Sequence, residues 1–223
     1  MILKNFEHFP LDSLNFDLLS ETVNSKRYYL TPEGNKYKSV TTVLGELNKQ
    51  AILEWRKRVG EEEANKISRT ASTKGTRYHN LIEKYLKNQL TDMEISGIMP
   101  EIKQMFLRMK PFLDENVTKI YGIEKALYSD ELRLAGRVDL IAEYDGELSI
   151  IDHKTSGKRK EESWITNYFY QASIYAKMLK ERTGLFPKQI VIAIAVSDNQ
   201  PQIFIKETEE YLEKAIEFVN QYN

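Results

Sequence analysis

The chain has no cysteine. Disulfides are therefore excluded, and so are zinc or iron–sulfur sites built on thiolates. The absence fits a reducing compartment. Long hydrophobic runs are also missing: no apolar stretch approaches the roughly 20 residues that a membrane-spanning helix needs. The opening residues, Met1 to Leu14, carry neither the basic-then-apolar pattern of a secretory signal nor the arginine-rich character of an amphipathic presequence. A cytoplasmic location without membrane association is the expectation. Neither sign of charge is in excess, with 32 Lys and Arg against 33 Asp and Glu. The surface as a whole gives no electrostatic footprint for nucleic acid, so any such binding must come from a local basic patch. No internal repeat, low-complexity segment or P-loop occurs, so a nucleotide-driven motor would have to be a separate chain.

What is present is a chain of 223 residues, 41% apolar and 11% aromatic, enough for a sizeable core. Pro32-Glu33-Gly34-Asn35 reads as a turn between short β-rich pieces, with a helix beginning near Thr42. Residues 49–70 carry Ile52, Trp55, Val59 and Ala64 at helical spacing, which makes Trp55 a candidate core residue; Gly60 is a possible interruption. Thr70 to Gly75 reads as a linker or cap, followed by a helix over about 76–88. Residues 91–97 read as a polar connection. A third helix over about 99–116 aligns Ile102, Phe106, Met109 and Leu113. Beyond residue 119 the period changes to that of strands. Three strands meander to about residue 154, with Asp145-Gly146 as a hairpin signal. A helix then ends at Gly184. QIVIAIAV reads as a buried strand, QPQIFIKE as its neighbour, and a helix over about 207–221 closes the chain. This order implies one α/β domain over 1–223 with a mixed central β-sheet flanked by helices. About 1–116 would form an N-terminal hairpin and helical region, and about 117–223 the α/β core.

The informative stretch is LAGRVDLIAEYDGELSIIDHKTSGKRK, Leu134 to Lys160. Strand alternation puts Ile150, Asp152 and Lys154 on one face and Ile151 and His153 on the other. By the same rule Arg137, Asp139 and Ile141 share a face, and Val138, Leu140 and Ala142 look the other way. Asp139 lies six residues before Asp145 and Asp152 six after Gly146, so an unbulged hairpin sets the two aspartates near each other. Two neighbouring carboxylates repel unless a cation or proton separates them. An all-oxygen donor pair suits Mg²⁺ or Mn²⁺. A lysine beside them can hold a water, stabilise an oxyanion or pin a phosphate. The alternative is a solvated salt-bridge pair on an exposed hairpin, which would contribute little.

GRVD followed by IIDHKTS resembles the core of the PD-(D/E)xK nuclease superfamily, in particular its RecB-like exonuclease branch. It is most similar to the mitochondrial genome maintenance exonuclease group and its phage and bacterial relatives. YKSVTTVLG, KGTRYHNLIEKYL and YFYQASIYAKML resemble further segments of that group in the same order, so the likeness touches about residues 37–180. It departs from the superfamily name at Val138, where proline is usual, and at Asp152, where glutamate is usual. The resemblance implies a restriction-endonuclease-like core and a metal-dependent DNA exonuclease preferring single strands. It implies that Asp139 and Asp152 bind the metal, that the backbone carbonyl of His153 completes the shell and that His79 is metal-associated. Lys154 is then the catalytic lysine and Glu124 a supporting acid acting through water. Gln171 and Tyr175 form the helix motif that shapes the site and touches the nucleic-acid backbone.

On spacing alone, His79 borders the inward stripe of its helix, where a packed, hydrogen-bonded histidine is the common role, with Glu83 one turn on as a partner. Gln171 and Tyr175 lie one turn apart and also suit a purely structural role. Tyr168 and Tyr170 stack on bases or fill the core. The basic loop Ser156 to Lys160 directly follows the expected catalytic strand. Thr155, Ser156, Lys158, Arg159 and Lys160 are candidate phosphate contacts, against the reading of a solvated turn. Arg137 is a candidate to reach the same region, Arg77, Arg56, Lys57, Arg58 and Lys74 on the preceding helices are candidates to line a channel, and Ser39, Thr41 and Thr42 to bind phosphates through hydroxyls. Trp55 and Phe106 suit the helical core better than a wedge between bases. The competing functions are a structure-selective endonuclease or resolvase with the same metal chemistry, and a non-catalytic DNA-binding protein on this fold. A phage or bacterial setting, with recombination or replication proteins as partners, fits the resemblance. Digestion polarity, the number of metal ions and the oligomeric state are not encoded in any motif.

Overall fold

The computed structural model describes residues 2–222; Met1 and Asn223, the two ends of the expected single domain, lie outside them. The chain begins with β1 (Glu7–His8), β2 (Leu19–Val23), β3 (Lys26–Leu30) and β4 (Lys36–Ser39). Asn24 and Ser25, both at positive φ, turn β2 into β3. Then come α1 (Val40–Leu44), α2 (Lys49–Val59), α3 (Glu61–Leu86), α4 (Asp92–Gly97) and α5 (Pro100–Asn116). β5 (Val117–Ser129), β6 (Leu134–Tyr144) and β7 (Glu147–Ser156) form the meander. They are followed by α6 (Thr166–Thr183), β8 (Gln189–Val196), β9 (Gln202–Glu207) and α7 (Thr208–Tyr222). Gly184 closes α6 at φ +77°, the left-handed conformation that glycine adopts without a Cβ penalty.

The protein is α/β, with a mixed sheet between two layers of helices. The path β2-β3-β4-β6-β7-β8-β9 runs through it, and β5 pairs with β6 and with the short β1. β7 and β8 pair in parallel across the α6 crossover. One face packs Ile150, Ile190, Ile192 and Ile194 against α1, α6 and α7. The other packs Leu140, Ile151, Val191 and Ala193 against α3 and α5. β8 is covered on both faces, which is why its sequence is an unbroken apolar run. Among the described residues, no helix is long and apolar enough to cross a membrane.

Several local expectations differ from what is seen. Thr70 to Gly75 is not a linker; it lies inside the 26-residue α3. Gly75 lies against β7, where an added Cβ would be in ordinary contact, 3.6 Å from the Thr155 hydroxyl. Residues 91–97 hold α4, started by a capping box in which Thr91 and Glu94 satisfy each other's backbone amides. Phe106 is fully buried, but Trp55 is not a core residue: α2 buries no side chain at all, and the first half of α3 buries only Ala64. These two segments bury almost no side chains. Their apolar residues repeat at helical spacing without a core to meet.

The strand alternation also fails at Asp139. Val138 and Ile141 belong to the α6 face, whereas Leu140 and Ala142 belong to the α3 face. The same switch occurs on β5, between Ile123 on the α3 face and Leu127 on the α6 face. Glu124, opposite Asp139, sits at φ +51°. A glutamate there is strained, by an amount of order 1–3 kcal/mol, and turns the pleat over.

The site is positioned by a fork. β5 occupies one edge of β6 along its length. The other edge is shared: β7 takes Leu140–Tyr144 and β4 takes only Leu134 and Ala135. Gly136 to Asp139 have no strand beside them there, and Tyr175 of α6 fills the opening. A Cβ on Gly136 would lie 2.5 Å from the Tyr175 hydroxyl oxygen and 2.9 Å from its ring. Replacing Gly136 with alanine is expected to destabilise the protein by about 1–3 kcal/mol, the usual cost of overpacking. Tyr175→Phe in the same chain should recover part of that loss. Urea unfolding of the single and double variants checks this, and an unchanged midpoint for Gly136→Ala would show that Tyr175 is not wedged in the fork.

Candidate active site

Three side chains converge at the point where the pleat turns over. His79 from α3, Glu124 from β5 and Asp139 from β6 each offer a ligand atom, all within 4.8 Å of one another. His79 Nδ1 lies 3.6 Å from Asp139 Oδ2. The same oxygen accepts a 2.8 Å hydrogen bond from the His153 amide, which ties β7 to β6 just past their last ladder pair. Burial and then the Asp139 charge push the Glu124 carboxyl up to about 7.

On the α6 side of the fork stands a second group. Asp152 is 1% exposed. Its Oδ1 accepts a 2.9 Å hydrogen bond from Gln171, and the Lys154 ammonium lies 2.5 Å from Oδ2. Burial drives the Asp152 pKa up to about 6, with Lys154 opposing and Asp139 adding to the rise. Burial works to lower the Lys154 pKa, and the charges of Asp152 and Asp139 outweigh it, so the group is an ammonium at neutral pH. The ammonium also lies 5.1 Å from the centre of the Tyr168 ring. Tyr175 is buried behind Asp152, and burial holds its hydroxyl well above the ordinary tyrosine range.

Glu124 and Asp152, both pushed up by burial and by the charge of Asp139, with Lys154 as the ammonium that answers them, make a site short of positive charge. Oxygen donors with one imidazole fit a hard divalent cation. The ligand-distance group is His79, Glu124 and Asp139; Asp152 stands beside it, held by Lys154 and Gln171. The His153 imidazole is buried with both nitrogens unpartnered, and burial pushes its pKa down to about 4, so it is neutral. Glu124, read from sequence as a support acting through water, lies within direct reach of a shared ion. The signal for that was its place in register with Asp139 on the neighbouring strand.

The candidate nucleic-acid contacts are scattered. Thr155 and Ser156, with Lys66 and Lys74, line a cleft of about 310 Å³ between α3 and the end of β7. Ser156 donates to the Lys158 carbonyl, while the side chains of Lys158 and Arg159 are exposed. The backbone of Lys160 is clamped at both its N–H and C=O by Gln202. Lys74 pairs with Glu101 and Ser197, and Arg56 with Glu61 and Asn65. Lys57 and Arg58 are exposed on α2. Ser39 and Thr41 hydrogen bond to each other, and Thr42 accepts from the Arg27 amide. Arg137 is engaged by Asp17 and the Glu124 carbonyl. Arg77 contacts Met99, on the side of α3 turned away from His79.

Comparison with known proteins bears on this arrangement. The sequence model of the PD-(D/E)XK nuclease superfamily matches residues 98–221. Mitochondrial genome maintenance exonuclease 1 of Homo sapiens is 27% identical over 178 residues, covering 75% of this chain and 51% of the human protein. The chain thus spans about half the length of that relative. A crystal structure of an Eubacterium rectale protein, described as a candidate exonuclease, superposes with a TM-score of 0.46 at 12% identity over 66% of this chain and 64% of that one.

The raised carboxyls make a pH-dependent prediction for the metal-free protein. Glu124 binds its proton more tightly folded, at about 7, than unfolded, at its ordinary value of 4.5. Its contribution is fully present below pH 4.5 and is lost as pH rises through 7. Glu124→Gln, which cannot ionise, should therefore melt higher than the parent at pH 8 by roughly 1–3 kcal/mol and show little gain near pH 4. Thermal unfolding in chelator reads the difference; a gain of equal size at both pH values would remove Glu124 as the titrating group.

Proposed function

The chain belongs to the PD-(D/E)XK nuclease superfamily, and from that premise we propose that it is a metal-dependent exonuclease that hydrolyses phosphodiester bonds in single-stranded DNA. The observation that carries the reading is the fork in β6, which sets the His79, Glu124 and Asp139 group beside the Asp152–Lys154 pair. His79, Glu124 and Asp139, with Asp152 adjacent, would hold Mg²⁺ or Mn²⁺. The bound ion supplies a water of lowered pKa and polarises the phosphoryl oxygen.

The remaining work falls to the side chains. Lys154, an ammonium held by Asp152, positions the attacking water and counters the charge that develops on the phosphoryl oxygens. Gln171 fixes the Asp152 carboxylate through Oδ1 and so fixes Lys154. The hydrogen bond donated by the His153 amide to the Asp139 carboxylate keeps the two strands in place as the charge at the site changes. In-line attack leaves a 5′-phosphate. The likeness to a mitochondrial exonuclease supports DNA as substrate. The segment α2 with the first half of α3, next to the site and with almost no buried side chains, supports admission of one strand rather than a duplex.

End-labelled linear and circular single-stranded DNA, incubated with Mg²⁺, Mn²⁺ or chelator, test the proposal. Loss of the linear strand only when metal is present, with the circle intact, is the expected outcome. Asp139→Asn and Lys154→Ala should each lower the rate by about 100-fold or more while circular dichroism shows retained fold. Cleavage of the circle at the linear rate would make the protein an endonuclease. Full activity of either variant would overturn the assigned chemistry.

A further inference from the structure

A groove of about 700 Å³ lies between the start of α2 and the start of α6. Leu47, Ile52 and Trp55 form one wall, and Trp164, Tyr168 and Lys160 belong to the other. We propose that this groove is the base-stacking subsite for the single strand, with Trp55 and Trp164 as its aromatic walls; the proposal rests on the hydrolytic reading above.

Four observations carry it. The chain has only two tryptophans, and both line this groove. Trp164 is 64% exposed, and Ile52 opposite is 47% exposed. An exposed indole on a short 3-10 turn contributes little to the core, and that turn is held in place by the ion pair between Glu162 and Lys206, at 2.6 Å. Tyr168 lines the groove, and its ring lies 5.1 Å from the Lys154 ammonium of the catalytic group. No acidic side chain lines the groove, and its single charge is Lys160, presented on a backbone that Gln202 grips at two points. Aromatic faces with a cation and no anion match a polyanion whose bases are unpaired. Stacking is indifferent to sequence, because every base has a π-face. A strand laid in the groove would have its bases between the indoles and the next phosphate near Lys154.

Because both tryptophans report from one place, intrinsic fluorescence reads the groove directly. Metal-free protein titrated with oligo(dT), with binding followed in parallel by anisotropy of a labelled strand, should show emission quenched in step with binding. Trp55→Phe and Trp164→Phe assign the response and should bind nearly as well as the parent. Trp164→Ala should weaken binding about 5- to 100-fold. It should raise KM while changing kcat far less. An abasic strand of the same length should bind the parent weakly and be almost indifferent to Trp164→Ala, which a merely structural role for the indole would not produce. Strand binding with unchanged emission, or equal losses on normal and abasic strands, overturns the stacking subsite and leaves the hydrolytic reading standing. Absence of both binding and cleavage overturns both. An emission change that depends on protein concentration without DNA, tracked by sedimentation, would assign the groove to a second copy of this chain instead.

Discussion

Everything at the site depends on how β6 divides one of its edges. A strand fully paired on both sides would bury its backbone and leave no opening. Here β4 and β7 each take part of the edge, and Gly136 to Asp139 lie between them. The gap exposes backbone polar groups that must be satisfied. α6 closes it from one side with Tyr175, whose hydroxyl meets the Arg137 amide. Only glycine at position 136 leaves room for that ring. The stability of the fold and the shape of the site therefore rest on the same contact.

The electrostatics follow from the same opening. Glu124 and Asp152 are carried into low-dielectric surroundings where ionisation is costly, and Asp139 between them adds repulsion. One ammonium, Lys154, answers part of that charge. The arrangement is poor as a stability device, because an apolar substitution would pack without the desolvation cost. Strain at Glu124 points the same way, since a left-handed glutamate in mid-strand persists only when its surroundings hold it there. Both features are understandable as costs borne by the proposed cation site.

Away from the sheet the helices divide their labour. The second half of α3 buries Tyr78, Leu81, Ile82, Tyr85 and Leu86, and fixes the helix on which His79 rides. The first half, with α2, has almost no core to bury and presents charge and apolar surface to one side of the site. One helix thus spans an anchored region and an unanchored one, and Gly75 marks the crossing against β7. Tyr168 lines the groove under α2.

Much of this was fixed locally. The Asp-Gly turn set the hairpin register, so Leu140 faces Ile151 as counting from the turn predicts. The period of two placed Asp152 with Lys154 and Ile150, and the apolar run 189–196 marked a strand covered on both sides. Gly184 marked the end of α6. These are short-range effects, in which each residue's neighbours in sequence are its neighbours in space. The tertiary structure alone decided the rest. Trp55 sits at core spacing on a helix that meets no core. Thr70 to Gly75 is rich in weak helix formers, yet stays helical because α3 is anchored at its far end. The pleat turns over at Asp139 because Glu124, fifteen residues earlier, is held at positive φ. That inversion puts Asp139 with His79 rather than along the face that alternation assigns. Contacts between residues far apart in sequence carry no periodic signature, and they are what brought three distant side chains to one point.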